Sequence, residues 1–313
     1  MVLNEFNRWV RVRGCRALVK RTSRIRRWTV RREVLREVVL PLFARRRSAG
    51  YSLAYPDQVT PASLSDGDVA ARARAWRDAA HAAVCDVMEP WSYGTVVRAT
   101  SRPSYWAFNV VRVEEDPAMS VEELAAFADQ ALAGLEHRCI DFDLVGAAEP
   151  LRAGFEAKGW KAERLVWMRH EAPLPPGPEI VVEEVPYDAV DNLRVAWGLE
   201  DFPGLDQGDY PAHAREISLG RGAQVLAVRE DRAPVAFAQL ERYGEGAEIT
   251  HVYVHPEYRG AGRGTAMTRA AVEAAGDVRD LWITADDEDR PKELYARLGF
   301  RPAWVTMEFL RPP

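Results

Sequence analysis

Residues 151–170, LRAGFEAKGWKAERLVWMRH, line up with residues 292–310, KELYARLGFRPAWVTMEFL, at an offset of 140. Phe155 meets Tyr295, and Gly159-Trp160 meets Gly299-Phe300. The alternating runs just upstream, CIDFDLV at 139–145 and DLWITA at 280–285, keep that offset to within a residue. The strand–helix pairs before them correspond roughly in order. Several matches in one order at one spacing point to duplication, so whatever fold the second half adopts, the first half adopts a version of it. A length of 313 residues suits two such domains.

The join between them is visible. EAPLPPGPE at 171–179 holds four prolines and one glycine. It can continue neither a helix nor a central strand, so residues 171–178 read as a stiff linker between a first domain at 51–170 and a second at 179–313. Ahead of both lies a basic arm, residues 1–50, with 15 Arg/Lys against 3 Asp/Glu, while the rest of the chain carries 27 against 44. An acidic body attracts cationic small molecules and repels nucleic acid. The arm, with Trp9 and Trp28, suits nucleic acid or an anionic membrane, but a disordered extension is the preferred reading. Within it, residues 30–43 have the pattern of a short amphipathic helix broken by Pro41.

Cys15, Cys85 and Cys139 stand far apart, which suggests a reducing, cytoplasmic setting. The histidines show no metal-binding spacing, so no metal is expected. No apolar run approaches the roughly 18–20 residues of a membrane span. The first residues lack the apolar core of a signal peptide.

Periodicity gives the elements. A helix is expected over 67–87, strands at 95–100 and 106–113, and a helix over 120–137. That last helix aligns Leu124, Phe127, Leu132 and Leu135 and opens on a capping box, Ser120 to Glu123. After the linker come a strand at 179–185, a helix at 188–199 and an acidic loop at 199–210. Three strands with short links follow, AQVLAVRE, APVAFAQLERY and EITHVYVHP, expected as antiparallel neighbours. A helix, the strand DLWITA, a helix at 290–299 and the strand AWVTMEFL complete an α+β fold with a mixed sheet. Trp282 and Trp304, on strand patterns, read as core.

Between EITHVYV and the helix lies HPEYRGAGRGTAM, residues 255–267. A helix N-terminus leaves backbone N–H groups unpaired and carries a partial positive charge, and glycine lets an anion approach that backbone closely. With Arg259 and Arg263 alongside, the natural ligand is a pyrophosphate. No lysine follows Gly264, which removes a P-loop, and the spacing is GxGxG rather than GxGxxG. Arg259-Gly260-Ala261-Gly262-Arg263-Gly264 fits an R-x-x-G-x-G type of turn.

VYVHPEYRGAGRG followed by LYARLGF resembles the GNAT N-acetyltransferase superfamily, which binds acetyl-coenzyme A. The resemblance covers about residues 179–311, and residues 68–170 look like a second, degenerate GNAT domain. It implies two tandem GNAT-like domains, each a mostly antiparallel sheet flanked by helices. It further implies acetyl transfer from acetyl-CoA to an amine on a small molecule or peptide. The pantetheine arm would pair with backbone groups of Val252 and Val254. The pyrophosphate would sit on the N–H groups from Gly260 to Thr265, beside Arg259. The strand carrying Val252 and the one after the helix would splay apart to admit the cofactor. Tyr295 corresponds to the acid that protonates the departing thiolate. Glu248 corresponds to a general base found in some members.

Strict alternation places Glu248 on one face with Thr250, Val252 and Val254. It places His251, the rival base, on the other unless a bulge intervenes. Glu200, Asp201, Asp206 and Asp209, on the acidic loop over the acceptor site, are expected to hold a cationic amine. Many members have asparagine where this chain has Glu288; Asp289 is expected to cap the following helix. The first domain has Glu114, Glu115 and Asp116 in place of the glycines, and Phe155 in place of Tyr295. It is therefore expected to buttress the second domain rather than bind coenzyme A. A non-catalytic acyl-CoA sensor is the rival reading.

Overall fold

The computed structural model describes residues 9–12, 15–18 and 68–313. The chain divides into a unit at 1–54 and a unit at 55–313. In the first, β1 (Trp9–Val12) and β2 (Cys15–Leu18) form an antiparallel hairpin. The expected helix at 30–43 lies outside the described residues.

The second unit opens with α1 (Val69–Val84), whose first turn is capped by Asp68, the carboxylate accepting from the Ala71 N–H at 2.9 Å. Then come β3 (Val87–Trp91), β4 (Gly94–Arg98) and β5 (Asn109–Val113). Next is α2 (Val121–Ala131), which starts on the expected Ser120–Glu123 capping box. It ends earlier than the spacing suggests: Leu132 is already the C-cap, and Gly134 turns the chain with φ +88°. β6 (Arg138–Phe142), α3 (Val145–Ala148), α4 (Arg152–Ala157) and β7 (Lys161–His170) complete the first half.

The second half has β8 (Glu183–Val185), α5 (Asp191–Asp201), α6 (Tyr210–Gly220), β9 (Gln224–Glu230), β10 (Ala233–Tyr243) and β11 (Gly246–Val254). It ends with α7 (Arg263–Ala275), β12 (Asp280–Asp286), α8 (Pro291–Arg297) and β13 (Phe300–Arg311). α6 carries no expectation from the sequence, and with α5 it narrows the acidic loop to 202–209. The strand expected over 179–185 pairs only through Glu183–Val185; Ile180 and Val182 pack on the second-half core instead.

The fold is the expected α+β arrangement of a mostly antiparallel sheet flanked by helices. β9, β10 and β11 are antiparallel neighbours as anticipated. The sheets of the two halves are, however, one. Its order is β3-β4-β5-β6-β13-β7-β12-β11-β10-β9-β8, parallel only at β5–β6 and β11–β12. The halves have traded their last strands: β13 lies against β6, and β7 against β12. Apolar burial follows the trade. Met307 and Phe309 of β13 fill the core beneath α2, while Val166 and Met168 of β7 fill the core beneath α7. Neither half buries its own core without the other's strand.

On the opposite sheet face, α1 crosses the centre. Trp76 packs with Trp282 and Trp304, both buried as expected. A Cβ on Gly246 would come within 2.7 Å of the Trp76 ring, so this close crossing requires glycine in β11.

Candidate active site

β11 and β12 pair from Gly246 opposite Asp280 to Ile249 opposite Ile283, and there the pairing stops. β11 continues to Val254, while β12 follows β7 as far as Asp286 opposite Leu165. Past Ile249 the strands diverge, and the β12-side backbone of Thr250–Val254 faces a wedge. At the wide end the chain turns into α7. Gly260 and Gly262 take left-handed φ values of +81° and +79°, which strain any residue with a Cβ. Gly264 is under neither constraint: it lies in the helix, and a Cβ there would meet only Val254, at 3.9 Å. α7 has no side-chain cap and no acid in its first turn. Ala266 is the first residue whose N–H bonds back, to the Gly262 carbonyl at 3.0 Å. The preceding amides and the helix dipole thus form a cradle for an anion. The proline-rich stretch braces it, with Pro178 against Gly262.

The two arginines are already engaged. The Arg259 guanidinium donates to the Val254 carbonyl at 2.9 Å and pairs with Glu200 at 2.7 Å. Arg263 donates to the Tyr258 carbonyl at 3.0 Å and pairs with Glu230. Both lend rigidity to the turn, and the backbone supplies the unspent donors.

One expectation about β11 is overturned. Gln239 of β10 faces His251 and Leu240 faces Ile249, so Thr250 is the extra residue of a β-bulge. The bulge reverses the alternation. Val252 and Val254 turn to the α7 side with Ile249, while Glu248, Thr250 and His251 line one cavity on the other face. Sharing of a face by Glu248 with Val252 and Val254 is therefore incorrect, and so is the placement of His251 opposite Glu248. Gln239, fully buried, donates to Thr250 Oγ1 at 3.2 Å, to Glu241 at 2.8 Å and to Ser218 at 3.0 Å, fixing the bulge to α6.

Glu248 accepts a hydrogen bond from Trp76 Nε1 at 2.7 Å, and Arg221 lies 3.9 Å away. Burial lifts its carboxyl above the usual range, opposed by Arg221 and the indole N–H. Beside it, Arg221 is paired with Glu241 at 2.5 Å. His251 sits edge-on to Trp197 with its Nδ1 3.0 Å from Thr250 Oγ1. Burial, reinforced by Arg194, lowers its pKa to about 3, so the ring is neutral. A base works best with a pKa near the operating pH, which favours Glu248 over His251.

Tyr295 of α8 is 6% exposed and packs in the second-half core with Phe300. Burial raises its pKa to about 12, keeping the phenol protonated. Tyr295 does not line the cavity that holds Glu248. It shares the core beneath α7 with Val252 and Val254, so candidate acid and candidate base are set about β11 by the bulge. Asp289 is not the cap of α8: that position is Arg290, and the Asp289 carboxylate accepts from the Arg290 N–H at 2.7 Å. Glu288 pairs across to Arg152 of the first half at 3.0 Å.

The cavity measures about 240 Å³ and runs along the sheet from β10 and β11 to β6, roofed by α1 and α6. None of the four carboxylates expected on the acidic loop lines this cavity. Glu200 pairs with Arg259 and accepts from the Tyr253 hydroxyl, Asp201 ends α5, Asp206 accepts from the Gly208 N–H, and Asp209 precedes α6. The acids that do line the cavity are Asp141, Glu241, Glu248 and Glu308. Two were legible in principle. In CIDFDLV and AWVTMEFL, Asp141 and Glu308 alternate with Ile140 and Phe309, which marks a polar face; only the cover by α1 and α6 buries it.

Residues 221–302 match the acetyltransferase (GNAT) domain family. Over 71 residues the chain is 37% identical to MJ1207, an uncharacterised N-acetyltransferase of Methanocaldococcus jannaschii; the match spans 21% of this chain and only 31% of that protein. A functionally unknown conserved protein from Staphylococcus epidermidis superposes with a TM-score of 0.54 at 14% identity, over 72% of this chain and 94% of its own. A GCN5-related N-acetyltransferase from Kribbella flavida does so with a TM-score of 0.50 at 18% identity, over 79% and 97%. At such identities the last two share the fold. The parted strands, the glycine turn and the family match together make residues 221–302 of this chain a GNAT acetyltransferase domain.

Proposed function

We propose that the protein is an acetyl-CoA-dependent N-acetyltransferase that moves acetyl to a primary amine by direct transfer in a ternary complex, at one site in the second half. The observation that carries this reading is the wedge between β11 and β12, opening beside the uncapped, glycine-rich start of α7. Backbone groups at Val252 and Val254 would hold the pantetheine arm, and the amides from Gly260 to Thr265 the pyrophosphate. Acetyl-CoA supplies the thioester. The amine nitrogen forms a bond to its carbonyl carbon, the carbon–sulfur bond breaks, and a proton lost by nitrogen is balanced by one gained by sulfur. Glu248, with its raised carboxyl pKa, accepts the first proton. Tyr295, held protonated by burial, provides the second. Among the described residues no helix is long and apolar enough to cross a membrane, and a cytoplasmic setting is part of the proposal.

Thiol release from acetyl-CoA across a panel of amines tests the reading. Tyr295→Phe removes one oxygen from a packed ring, so turnover should fall by about 10²-fold while coenzyme A affinity holds. Coenzyme A binding without thiol release from any amine would mark the protein as a sensor instead.

A further inference from the structure

The cavity extends well beyond Glu248. Its far end is built from the first half and from the traded strand, where Asp141 of β6 stands directly opposite Glu308 of β13 on the same face. Like charges opposite each other on a sheet repel. The local cations relieve this only in part. Arg77 gives Asp141 one hydrogen bond at 3.1 Å and is shared with Asp143 at 2.6 Å. Arg112 is taken by Asp78 and Glu114, and Lys161 by Glu163. Asp141 Oδ1 is buried with no hydrogen-bond partner.

The roof supplies an independent sign of a ligand. His81 of α1 is 5% exposed and lines the cavity. Its Nε2 lies 3.2 Å from the Ala107 carbonyl, which can only accept, so that nitrogen carries the proton. Burial and the nearby arginines keep the ring neutral. Nδ1 is therefore a bare lone pair, buried and unpartnered. The free groups here, Asp141 Oδ1 and His81 Nδ1, are both acceptors. Along the whole cavity, carboxylates Asp141, Glu241, Glu248 and Glu308 face only two guanidinium groups, Arg77 and Arg221. Buried charge without a counter-charge is costly, and a ligand bringing positive charge removes the cost. Burial, with Asp141 and Glu163 beside it, raises the Glu308 pKa to about 7, against the opposing pull of the Cys139 thiol and Lys161.

We propose that Asp141, Glu308 and His81 form a second ammonium subsite, so that the acceptor is an elongated amine with at least two positive charges, a linear polyamine in chemical class. β13 is three strands from β11, about 14 Å across the sheet, so a short diamine cannot reach both ends. The assignment of Glu248 as the reacting end rests on the acetyl-transfer reading; the subsite itself does not.

Calorimetry on the full chain, without acetyl-CoA, separates the two. The probes are 1,10-diaminodecane and 10-amino-1-decanol, matched in length but carrying two charges and one. The diamine should bind about tenfold tighter or more, and in Glu308→Gln that preference should shrink toward unity. Equal affinities in the wild type overturn the subsite, and that comparison needs no variant. A preference retained in folded Glu308→Gln overturns it as well. Preference for the diamine without thiol release in the amine panel would leave the subsite standing and remove the acetyl-transfer reading.

Discussion

At the start of α7, Gly260 and Gly262 adopt left-handed backbones and no side chain caps the helix. At the start of α2, Ser120 Oγ accepts from the Glu123 N–H, and the Glu123 carboxylate accepts from the Ser120 N–H at 2.8 Å. One helix has open donors and the other has spent them on itself. The strands ahead of them differ in the same sense. β11 leaves β12 at Ile249 and runs on to Val254 paired with β10 alone. β5 ends while still paired, Val113 opposite Phe142, and the Asp143 N–H closes the join on the Val113 carbonyl at 2.9 Å. Glu122 and Glu123 in the first turn of α2 add charge of the wrong sign for a phosphate. Both halves share the scaffold, and only the second has the parted strands and the open helix start. The first half's contribution lies on the other sheet face, where Trp76 reaches Glu248 and Asp141 faces Glu308.

Four substitutions in three experiments test that contrast, in order of expected effect. Gly262→Asp gives α7 an acidic start like that of α2. A carboxylate beside the pyrophosphate should weaken coenzyme A by about 10²-fold or more in calorimetry. The left-handed φ should cost stability of about 1 kcal/mol, visible as a small fall in Tm. Unchanged affinity would show that the open helix start is not what distinguishes the halves.

Next come the two bases brought together by the bulge. Burial raises the Glu248 pKa, so the rate should climb with pH through a limb lying above the ordinary carboxylate range. Glu248→Gln should abolish that limb, and His251→Ala should leave it in place. The reverse result would make His251 the base.

The smallest effect belongs to Trp76→Phe, which keeps a ring over Gly246 and removes the indole donor. That donor favours the Glu248 carboxylate, so its loss should push the acidic limb to higher pH with coenzyme A affinity unchanged. A limb that stays in place would reduce the first half to packing.

Much of the second half is legible in one dimension because its signals are local. Turn chemistry requires glycine at 260 and 262 whatever the rest of the chain does. Alternation marks β9 to β11, and in the first half the Ser120–Glu123 box names the start of α2. The β11 faces were misassigned past Glu248 because a bulge depends on the partner strand: Thr250 becomes the extra residue only where Gln239 bonds across to it. The acids read as a loop are partly helical: Glu200 and Asp201 close α5, and Glu200 turns to Arg259, which residue type alone does not reveal.

The sequence determined the internal repeat, the α+β class, the glycine-rich turn ahead of α7 and its absence from the first half. The class and the turn are written in residues within a few positions of one another, and the repeat in the recurrence of such local runs at an offset of 140. Tertiary structure decided which strand lies beside which. β7 and β13 have the same alternation and answer to the same repeat, so local pattern cannot say whether Met307 and Phe309 fill their own half or the other. Long-range pairing and burial chose the exchange. That exchange brought Glu308 opposite Asp141, beneath α1 and in the cavity that begins at Glu248.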